Sequence, residues 1–237
     1  MLAVATLASA LIWHGMAPEP SRGPVGMFTS LPLVWTESPD LSELLSSDTT
    51  PHWARGVIEQ RGKLVPLDSL ASPSGLAALA RLERLVIAQP RPLAPDENVA
   101  LDAWVRKGGK VLVIVDPALT EDSAYAIGDP RRRQDVVMLS PILTRWGLTL
   151  EFDDVQPTGE RAVEVLGVAT PVNLPGRFAI AHSGSCRSWA EGVAVTCRVG
   201  KGRVVALADA AVLDRSDPSG QRARSFAGLL DTAFAVR

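Results

Sequence analysis

Residues 85–117 read LVIAQPRPLAPDENVALDAWVRKGGKVLVIVDP, and they contain the clearest structural pattern in the chain. Two short, mainly apolar runs, Leu85–Ala88 and Lys110–Val115, are typical of buried strands. Between them, Pro95–Lys107 carries helix signals: proline and acidic residues in the first turn, basic residues in the last turn, and Gly108 after it. The segment therefore predicts two strands joined by a helix, the repeating unit of a parallel sheet.

The same alternation of β-rich runs and helical segments extends over the rest of the chain. It predicts an α/β domain over residues 25–237, a mostly parallel sheet with helices on both faces and a strand-rich C-terminal part. The other predicted strands are Val25–Phe28, Lys63–Leu67, Leu148–Phe152, Val163–Val168, Phe178–Ala181, Val193–Val199 and Arg203–Ala208. The other predicted helices are Ser72–Arg81, a short helix that Ser140 caps and that begins at Pro141, and Ser225–Val236. Residues 120–136 have no periodicity and include Arg131–Arg133, which predicts a solvated, mobile surface loop.

Length and composition fit one large globular domain. The 237 residues are 46% hydrophobic and 21% charged, which excludes disordered, collagenous and coiled-coil chains. Lysine and arginine number 24 against 26 aspartates and glutamates, so no basic excess is available to neutralise a phosphate backbone. We therefore expect no nucleic-acid partner.

The N-terminal region has the composition of a targeting element. Leu2–Trp13 is an uncharged run of twelve residues, and the helix-breaking sequence APEPSRGP begins four residues after it, at Ala17. We predict a signal peptide or membrane anchor at residues 1–16 and a linker at residues 17–24, with the domain periplasmic or anchored to the inner membrane facing the periplasm. The run is shorter than the roughly 20 apolar residues that span a bilayer, and no Lys or Arg precedes Arg22. A buried first helix or strand of the domain is therefore an alternative.

The only two cysteines, Cys186 and Cys197, lie in the segment SCRSWAEGVAVTC. This pattern predicts a hairpin with its turn at Glu191-Gly192. A disulfide across the two strands would suit an oxidising periplasm, and a pair of reduced core cysteines fits the sequence equally well. Neither cysteine belongs to a C-x-x-C motif, which argues against zinc binding and thioredoxin chemistry.

Polar residues follow four of the predicted strands. They are Thr29 and Ser30, Gln89, Asp116 and Asp209. Because open parallel sheets bind ligands beyond the carboxyl ends of their strands, these five residues form the candidate ligand-binding site. The same residue types also terminate strands and begin turns, so a purely structural role is the alternative.

Motifs for catalysis and metal binding are missing from the sequence. No G-x-S-x-G motif or equivalent cysteine joins a strand to a helix. His14, His52 and His182 have no partners at metal-ligand spacing. Gly108-Gly109-Lys110 precedes a strand rather than opening a helix, so it cannot form a phosphate-binding loop. We predict no catalytic residue, no metal site and no cofactor.

Four segments resemble a known family. They are PVGMFTSLPLVW, LVIAQPRPLAPDENVALDAWVRKGGKVLVIVDPAL, SPILTRWGLTLEF and VGKGRVVALADAAVL. They look like the GldG-like domains of the ABC-type uncharacterized transport system and related domains with a class I glutamine amidotransferase-like fold. The resemblance implies a flavodoxin-like α/β domain held outside the cytoplasmic membrane and associated with ABC-type export or gliding machinery. The strand that would carry the amidotransferase cysteine ends here in Asp116-Pro117, so the resemblance implies binding rather than catalysis.

Three functions fit these observations. The leading hypothesis is a non-enzymatic, exported or membrane-tethered accessory domain, which binds a saccharide or peptide at the five strand-end residues. Its partners would be the permease and ATPase subunits of an ABC transporter, with membrane contact through the N-terminus. One alternative is a hydrolase that uses Asp116 or Asp209 as an acid or base. The other is a purely structural interaction module, which an exposed apolar patch without a polar cleft would indicate.

Overall fold

A computed structural model of the protein describes residues 23–37, 50–181 and 185–235. The predicted signal peptide or anchor at residues 1–16 lies outside these ranges, together with most of the linker at 17–24, His14 and His182. Within the described ranges, no helix has both the length and the apolar character that crossing a membrane requires.

The described residues form eleven strands and five α-helices. The strands are β1 (Val25–Thr29), β2 (Leu64–Pro66), β3 (Arg84–Ala88), β4 (Lys110–Ile114), β5 (Leu148–Glu151), β6 (Arg161–Val165), β7 (Val168–Val172), β8 (Arg177–Ile180), β9 (Cys186–Trp189), β10 (Ala194–Val199) and β11 (Gly202–Leu207). The helices are α1 (Trp53–Glu59), α2 (Pro73–Leu79), α3 (Pro95–Arg106), α4 (Ser140–Arg145) and α5 (Gln221–Phe234).

A seven-stranded sheet organises the domain, in the order β2-β1-β3-β4-β11-β10-β9. The five strands from β2 to β11 are parallel, whereas β10 and β9 are antiparallel additions at one edge. This arrangement confirms the predicted α/β class with a mostly parallel sheet. Strands β5 and β8 form a separate two-stranded sheet, and so do β6 and β7.

Alternate residues of the central strands point to two hydrophobic cores, one on each face of the sheet. On one face Val86 packs in the same core as Phe226 of α5, and α1 also contributes to this core. On the other face Ile87 packs in the same core as Leu101 of α3, together with residues of α2 and α4. We call these the α5 face and the α3 face. Because both faces are covered, the central strands consist almost entirely of apolar residues.

The prediction of one strand over Val163–Val168 is wrong. The chain reverses at Leu166-Gly167, so that β6 and β7 form a hairpin in which Val165 is opposite Val168. Both turn residues have positive φ angles, 55° at Leu166 and 79° at Gly167, as a two-residue type I′ turn requires. Leucine seldom adopts this conformation, and the sequence therefore carried only half of the usual turn signal.

Helix α1 was not predicted from the sequence. It is only seven residues long, and the side chain before it that caps its first turn is His52 rather than a serine, threonine or aspartate. A helix of two turns is too short to show the apolar periodicity from which helices are predicted, and a few buried contacts are enough to hold it in place.

The two cysteines are joined in a cross-strand disulfide at the sheet edge. Cys186 of β9 lies directly opposite Cys197 of β10, with a Cα–Cα distance of 4.0 Å. The bond closes a chain separation of 11 residues around the turn Ala190–Gly192.

Replacing both cysteines with serine is expected to lower the free energy of unfolding by up to about 3 kcal/mol, because a closed loop of this size restricts the unfolded chain. Urea unfolding of the wild type and the double variant, each with and without a reductant, measures the difference. The reductant should destabilise only the wild type. Equal midpoints for the two proteins under oxidising conditions would contradict the prediction.

Candidate functional site

The structure brings all five predicted site residues to the carboxyl edge of the sheet, which is the end at which its parallel strands terminate. Thr29 ends β1 and Ser30 follows it, whereas Gln89, Asp116 and Asp209 come one or two residues after β3, β4 and β11. Because these four strands are parallel, their carboxyl ends share an edge. Each of the five side chains, however, forms its hydrogen bonds with the backbone of the neighbouring loops.

Gln89 is completely buried and joins the ends of two strands to a loop. Its Nε2 donates to the carbonyl oxygens of Asp116 at 3.0 Å and of Gln134 at 2.9 Å. Its Oε1 accepts from the backbone N–H of Asp116 at 2.8 Å. The backbone of Gln89 has a φ angle of 39°, in the left-handed region that is costly for most residues. These three hydrogen bonds hold the residue in this conformation.

Thr29 and Ser30 close the crevice between β1 and β3. The Ser30 hydroxyl donates to the carbonyl oxygen of Gln89 and accepts from the N–H of Gln134 at 3.0 Å. Thr29 Oγ1 accepts from the N–H of Leu31 at 2.9 Å. In the sheet, β1 is followed along the chain by β2 on its outer side, whereas β3 is followed by β4 on the opposite side. Ligands of open α/β sheets commonly bind in the crevice between two strands whose connections diverge in this way. Here protein atoms fill the crevice between β1 and β3.

Asp116 is buried, and both of its carboxylate oxygens accept hydrogen bonds from backbone. Oδ1 accepts from the N–H of Ala118 at 2.8 Å, and Oδ2 accepts from the N–H of Ala210 at 3.0 Å. The carboxylate thus fixes the first turn of the loop after β4 and joins that loop to the segment after β11. Burial raises the pKa of Asp116 to about 6, although these two hydrogen bonds favour its ionised form.

Asp209 is arranged in the same way at the end of β11. Oδ1 accepts from the N–H of Ala211 and Oδ2 from the N–H of Asn173, both at 2.7 Å. Burial, and then the neighbouring charge of Asp116, raise the pKa of Asp209 well above its usual value. A carboxylate whose pKa is shifted can indicate a catalytic site. Here, however, the oxygens are directed at backbone N–H groups rather than at an open cleft.

A pocket of about 300 Å³ lies among the segments that leave these strands. Its walls come from residues 31–37 after β1, residues 121–133 after β4 and residues 213–215 after β11, with His52 at the start of α1. We call it the strand-end pocket. Its charged and ionisable lining residues are Glu37, His52, Glu121, Asp122, Arg133 and Arg215.

None of the five predicted residues lines the strand-end pocket, but each fixes the backbone of one of its walls. Thr29 and Ser30 position the wall after β1, Asp116 positions the beginning of the wall after β4, and Gln89 holds the end of that wall through residue 134. Asp209 holds the turn after β11. In this structure they are positioning residues behind the pocket.

Arg133 joins two of the pocket walls. Its side chain is only 3% exposed, and its Nη1 contacts the carboxylates of Glu121 at 3.1 Å and Glu37 at 3.4 Å. Its Nη2 donates to the carbonyl oxygens of Glu121 and Asp122. Within the described residues its Nε has no hydrogen-bond partner. The interpretation of residues 120–136 as a solvated loop is therefore wrong at Arg133, because half-buried carboxylates and backbone carbonyls replace water around its buried guanidinium.

His52 is uncharged at neutral pH. Its Nδ1 accepts from the N–H of Ala54 at 3.2 Å and caps α1, while its ring centroid lies 5.2 Å from that of Trp53. Burial, and then the positive charge of Arg215, lower the pKa of His52 to about 4. Next to the pocket, burial and then the charge of Glu121 raise the pKa of Asp214 to about 6.

This pocket offers groups of both charge signs and a neutral imidazole. Its described lining residues include one hydroxyl group, that of Thr36, and no cysteine, serine or lysine. The described ranges also hold no cluster of three or more residues suited to a metal ion. Groups of both charge signs in a pocket of this size suit binding of a small polar ligand.

Sequence interpretation missed the residues that line the pocket. Glu37, His52, Glu121, Arg133 and Arg215 come from four segments that are far apart in the chain, and none belongs to a local motif. The single available signal was the run of three arginines, which is more often solvated than buried.

Residues 54–168 match the model of a family described as an ABC-type uncharacterized transport system. This range runs from α1 to the start of β7, and it includes Gln89, Asp116, Glu121 and Arg133. No curated protein matches the sequence.

Several solved structures have a similar fold. An exo-beta-1,4-mannosidase from Opitutaceae bacterium strain TAV5 is 13% identical, with a TM-score of 0.50 over 92% of this chain and 36% of that one. A beta-galactosidase from Rahnella sp. R3 is 12% identical, with a TM-score of 0.50 over 91% of this chain and 31% of that one. A cytoplasmic protein from Salmonella typhimurium is 12% identical, with a TM-score of 0.51 over 89% and 96% of the two chains. The chain thus spans about a third of the length of the two glycosidases, and at these identities the similarity shows the fold alone.

Replacing Gln89 with leucine is expected to lower the free energy of unfolding by about 2–4 kcal/mol, because it leaves the buried N–H of Asp116 without its partner and removes the hydrogen bonds to the carbonyls of residues 116 and 134. Urea unfolding measures the loss. The same change at the less buried Gln221 is the matched control and should cost less than about 0.5 kcal/mol. Equal effects at the two positions would contradict the role assigned to Gln89.

His52→Asn is expected to change the dependence of stability on pH. Because the folded-state pKa of about 4 lies below the ordinary value of 6.5, the unfolded wild-type chain binds a proton that the folded protein does not. The stability that neutral His52 provides is therefore present above pH 6.5 and lost as the pH falls towards 4, by up to about 3 kcal/mol.

Asparagine retains a capping oxygen but does not titrate. The stability advantage of the wild type over His52→Asn, measured by urea unfolding at a series of pH values, should shrink across this window. A constant difference between the two proteins would contradict the lowered pKa.

Proposed function

We propose that this chain is a non-enzymatic accessory domain of an ABC-type transport system, exported or tethered to the membrane, which binds a small polar ligand in the strand-end pocket. The observation that carries the proposal is that the strand-end side chains form hydrogen bonds with loop backbone. At the edge where α/β domains bind ligands, Gln89, Asp116 and Asp209 hold loops in place and leave a charged pocket in front of them.

The match of residues 54–168 supports the association with a transport system. Its partners in this proposal are the permease and ATPase subunits. The order of the five parallel strands, counted along the chain, is 2-1-3-4-5, and it supports assignment to the flavodoxin-like group, to which the amidotransferase-like fold is related. Export is supported by the uncharged N-terminal run and by the disulfide between Cys186 and Cys197.

A hydrolase that uses Asp116 or Asp209 has less support. A general acid or base must reach a substrate atom directly or through one water molecule. Asp116 is 1% exposed and Asp209 is fully buried, and all four of their carboxylate oxygens already accept backbone hydrogen bonds. Their raised pKa values follow from burial and do not require a catalytic role.

The pocket lining favours a peptide over a saccharide. A peptide carries an ammonium group, a carboxylate and amides, and the pocket presents Glu37 and Glu121 together with Arg215. The only aromatic ring among the described lining residues is the imidazole of His52, so the pocket offers little surface on which the face of a sugar could stack.

Binding is tested by calorimetry of the full chain with a panel of tripeptides and a panel of oligosaccharides. We expect a tripeptide to bind, and Arg215→Ala to weaken it about tenfold or more through the loss of a charged hydrogen bond. Arg224→Ala is the matched control, because Arg224 is also exposed and donates to one backbone carbonyl but lies outside the pocket.

Equal loss of affinity in the two variants would contradict the pocket assignment. Binding of oligosaccharides alone would contradict the peptide. A hydrolase is tested with chromogenic esters, glycosides and phosphates: turnover that Asp116→Asn abolishes, while the variant still unfolds cooperatively, would contradict a non-enzymatic role.

Association with the transporter is tested by crosslinking in cells of the source organism and recovery of the tagged full chain. We expect mass spectrometry to identify an ABC permease and its ATPase. Enrichment no greater than with an unrelated exported protein would contradict the association.

A further inference from the structure

The amino edge of the sheet, which is the end at which its parallel strands begin, carries a row of positive charges. Arg84, Lys110, Arg203 and Arg198 are consecutive partners in the register of β3, β4, β11 and β10. Their alternation with the buried residues of these strands places all four on the α5 face. Like charges in adjacent cross-strand positions destabilise a sheet, so this row needs compensating interactions.

The C-terminal end of α5 compensates part of the row. Lys110 Nζ donates to the carbonyl oxygen of Phe234 at 3.3 Å, and Arg203 Nη1 donates to that of Thr232 at 2.8 Å. The guanidinium of Arg84 lies 5.8 Å from the centroid of the Phe234 ring. Cations are favourable at a helix C-terminus because its free carbonyls are negative. This explains three of the four charges.

The fourth cation of the row, Arg198, lines a groove beside the helix. The groove has a volume of about 880 Å³ and lies beside β9 and β10, next to the end of α5. Five basic residues line it, and none of its described lining residues is acidic; we call it the basic groove. The five are Lys110, Arg187, Arg198, Lys201 and Arg203.

Arg198 and Lys201 are exposed, and their side chains have no hydrogen bond or ion pair within the described ranges. Arg187 is exposed as well, and it lies 4.1 Å from the centroid of the Trp189 ring. A chain with a net charge of −2 therefore gathers, at one end of its sheet, three cations that have no carboxylate partner among the described residues.

We propose that the basic groove binds the phosphate of anionic phospholipid headgroups at a membrane surface. Arginine presents a planar fork of donors that matches the oxygens of a phosphate, and lysine adds a point charge. The volume of the groove exceeds that of one phosphate and accommodates a headgroup.

The position of the chain entering the domain favours a lipid over a soluble phosphate. Arg84 donates to the carbonyl oxygen of Gly23, so the chain enters the described domain at the same edge as the basic row. The uncharged run Leu2–Trp13 lies shortly before this point in the sequence. The inference rests on the proposed membrane tether, because a tether attached here would turn the basic groove towards the bilayer.

The test measures binding of the full chain to vesicles of phosphatidylcholine alone and of phosphatidylcholine mixed with phosphatidylglycerol, at low and high salt. The apolar N-terminal run is present in every sample, so the difference between the two vesicles reports the headgroup. We expect tighter binding to the phosphatidylglycerol vesicles at low salt only. The triple variant Arg187→Gln, Arg198→Gln, Lys201→Gln should lose about a hundredfold in affinity for them, at about a factor of five per charge.

The matched control is the triple variant Arg55→Gln, Arg131→Gln, Arg224→Gln, which removes three exposed positive charges outside the groove. It should keep the preference for phosphatidylglycerol. Equal losses in the two triple variants would overturn the proposal, because net charge alone would then explain binding. No difference between the two vesicles for the wild type would also overturn it.

Three further probes separate the sources of anionic groups. Calorimetry with inorganic phosphate and with glycerol 1-phosphate tests a soluble ligand, and polyglutamate tests an acidic protein partner. Binding of any of these probes, without a preference for phosphatidylglycerol vesicles, would overturn the assignment to a membrane. The transporter association is measured separately in cells, so failure of this test and failure of the proposed function can be told apart.

Discussion

The side-chain amide of Gln89 is the interaction on which the carboxyl edge of this sheet depends. Parallel strands end in backbone groups that the next loop must satisfy, and a buried group without a partner is costly. The Gln89 side chain, at the end of β3, supplies hydrogen-bond partners to the backbone of residue 116 after β4 and of residue 134. The Ser30 hydroxyl connects residues 89 and 134 to the end of β1. This network holds residue 134, near the far end of the loop after β4, against the ends of β1, β3 and β4.

The two edges of the sheet differ because its strands are parallel. At the carboxyl edge, buried carboxylates accept hydrogen bonds from the N–H groups of departing loops, and the pocket above them contains charges of both signs. At the amino edge, the first residues of β3, β4 and β11 are basic or next to a basic residue, and they lie beneath the negative end of α5. Because the central strands all run in the same direction, the two ends of the sheet differ in their chemistry.

The alternation of apolar runs with capped helices was sufficient to predict the α/β class with its mostly parallel sheet, together with the hairpin of β9 and β10. It also located the sheet edge to which Thr29, Ser30, Gln89, Asp116 and Asp209 belong. It failed at Leu166, where a leucine adopts a left-handed turn conformation, and at Arg133, whose acidic partners are distant in the sequence. Local patterns report backbone preference and burial, but they do not report which distant side chains will meet.

The sequence by itself therefore determined the layered α/β architecture, because hydrophobic periodicity and turn chemistry act within a few residues. It also placed polar side chains at the strand ends. Only the tertiary structure decided what those side chains do: it directs Gln89, Asp116 and Asp209 at backbone groups, and it gives the pocket to Glu37, His52, Glu121, Arg133 and Arg215. The physical reason is that a buried polar group is directed by its hydrogen-bond partners, and those partners are known only when distant segments pack together.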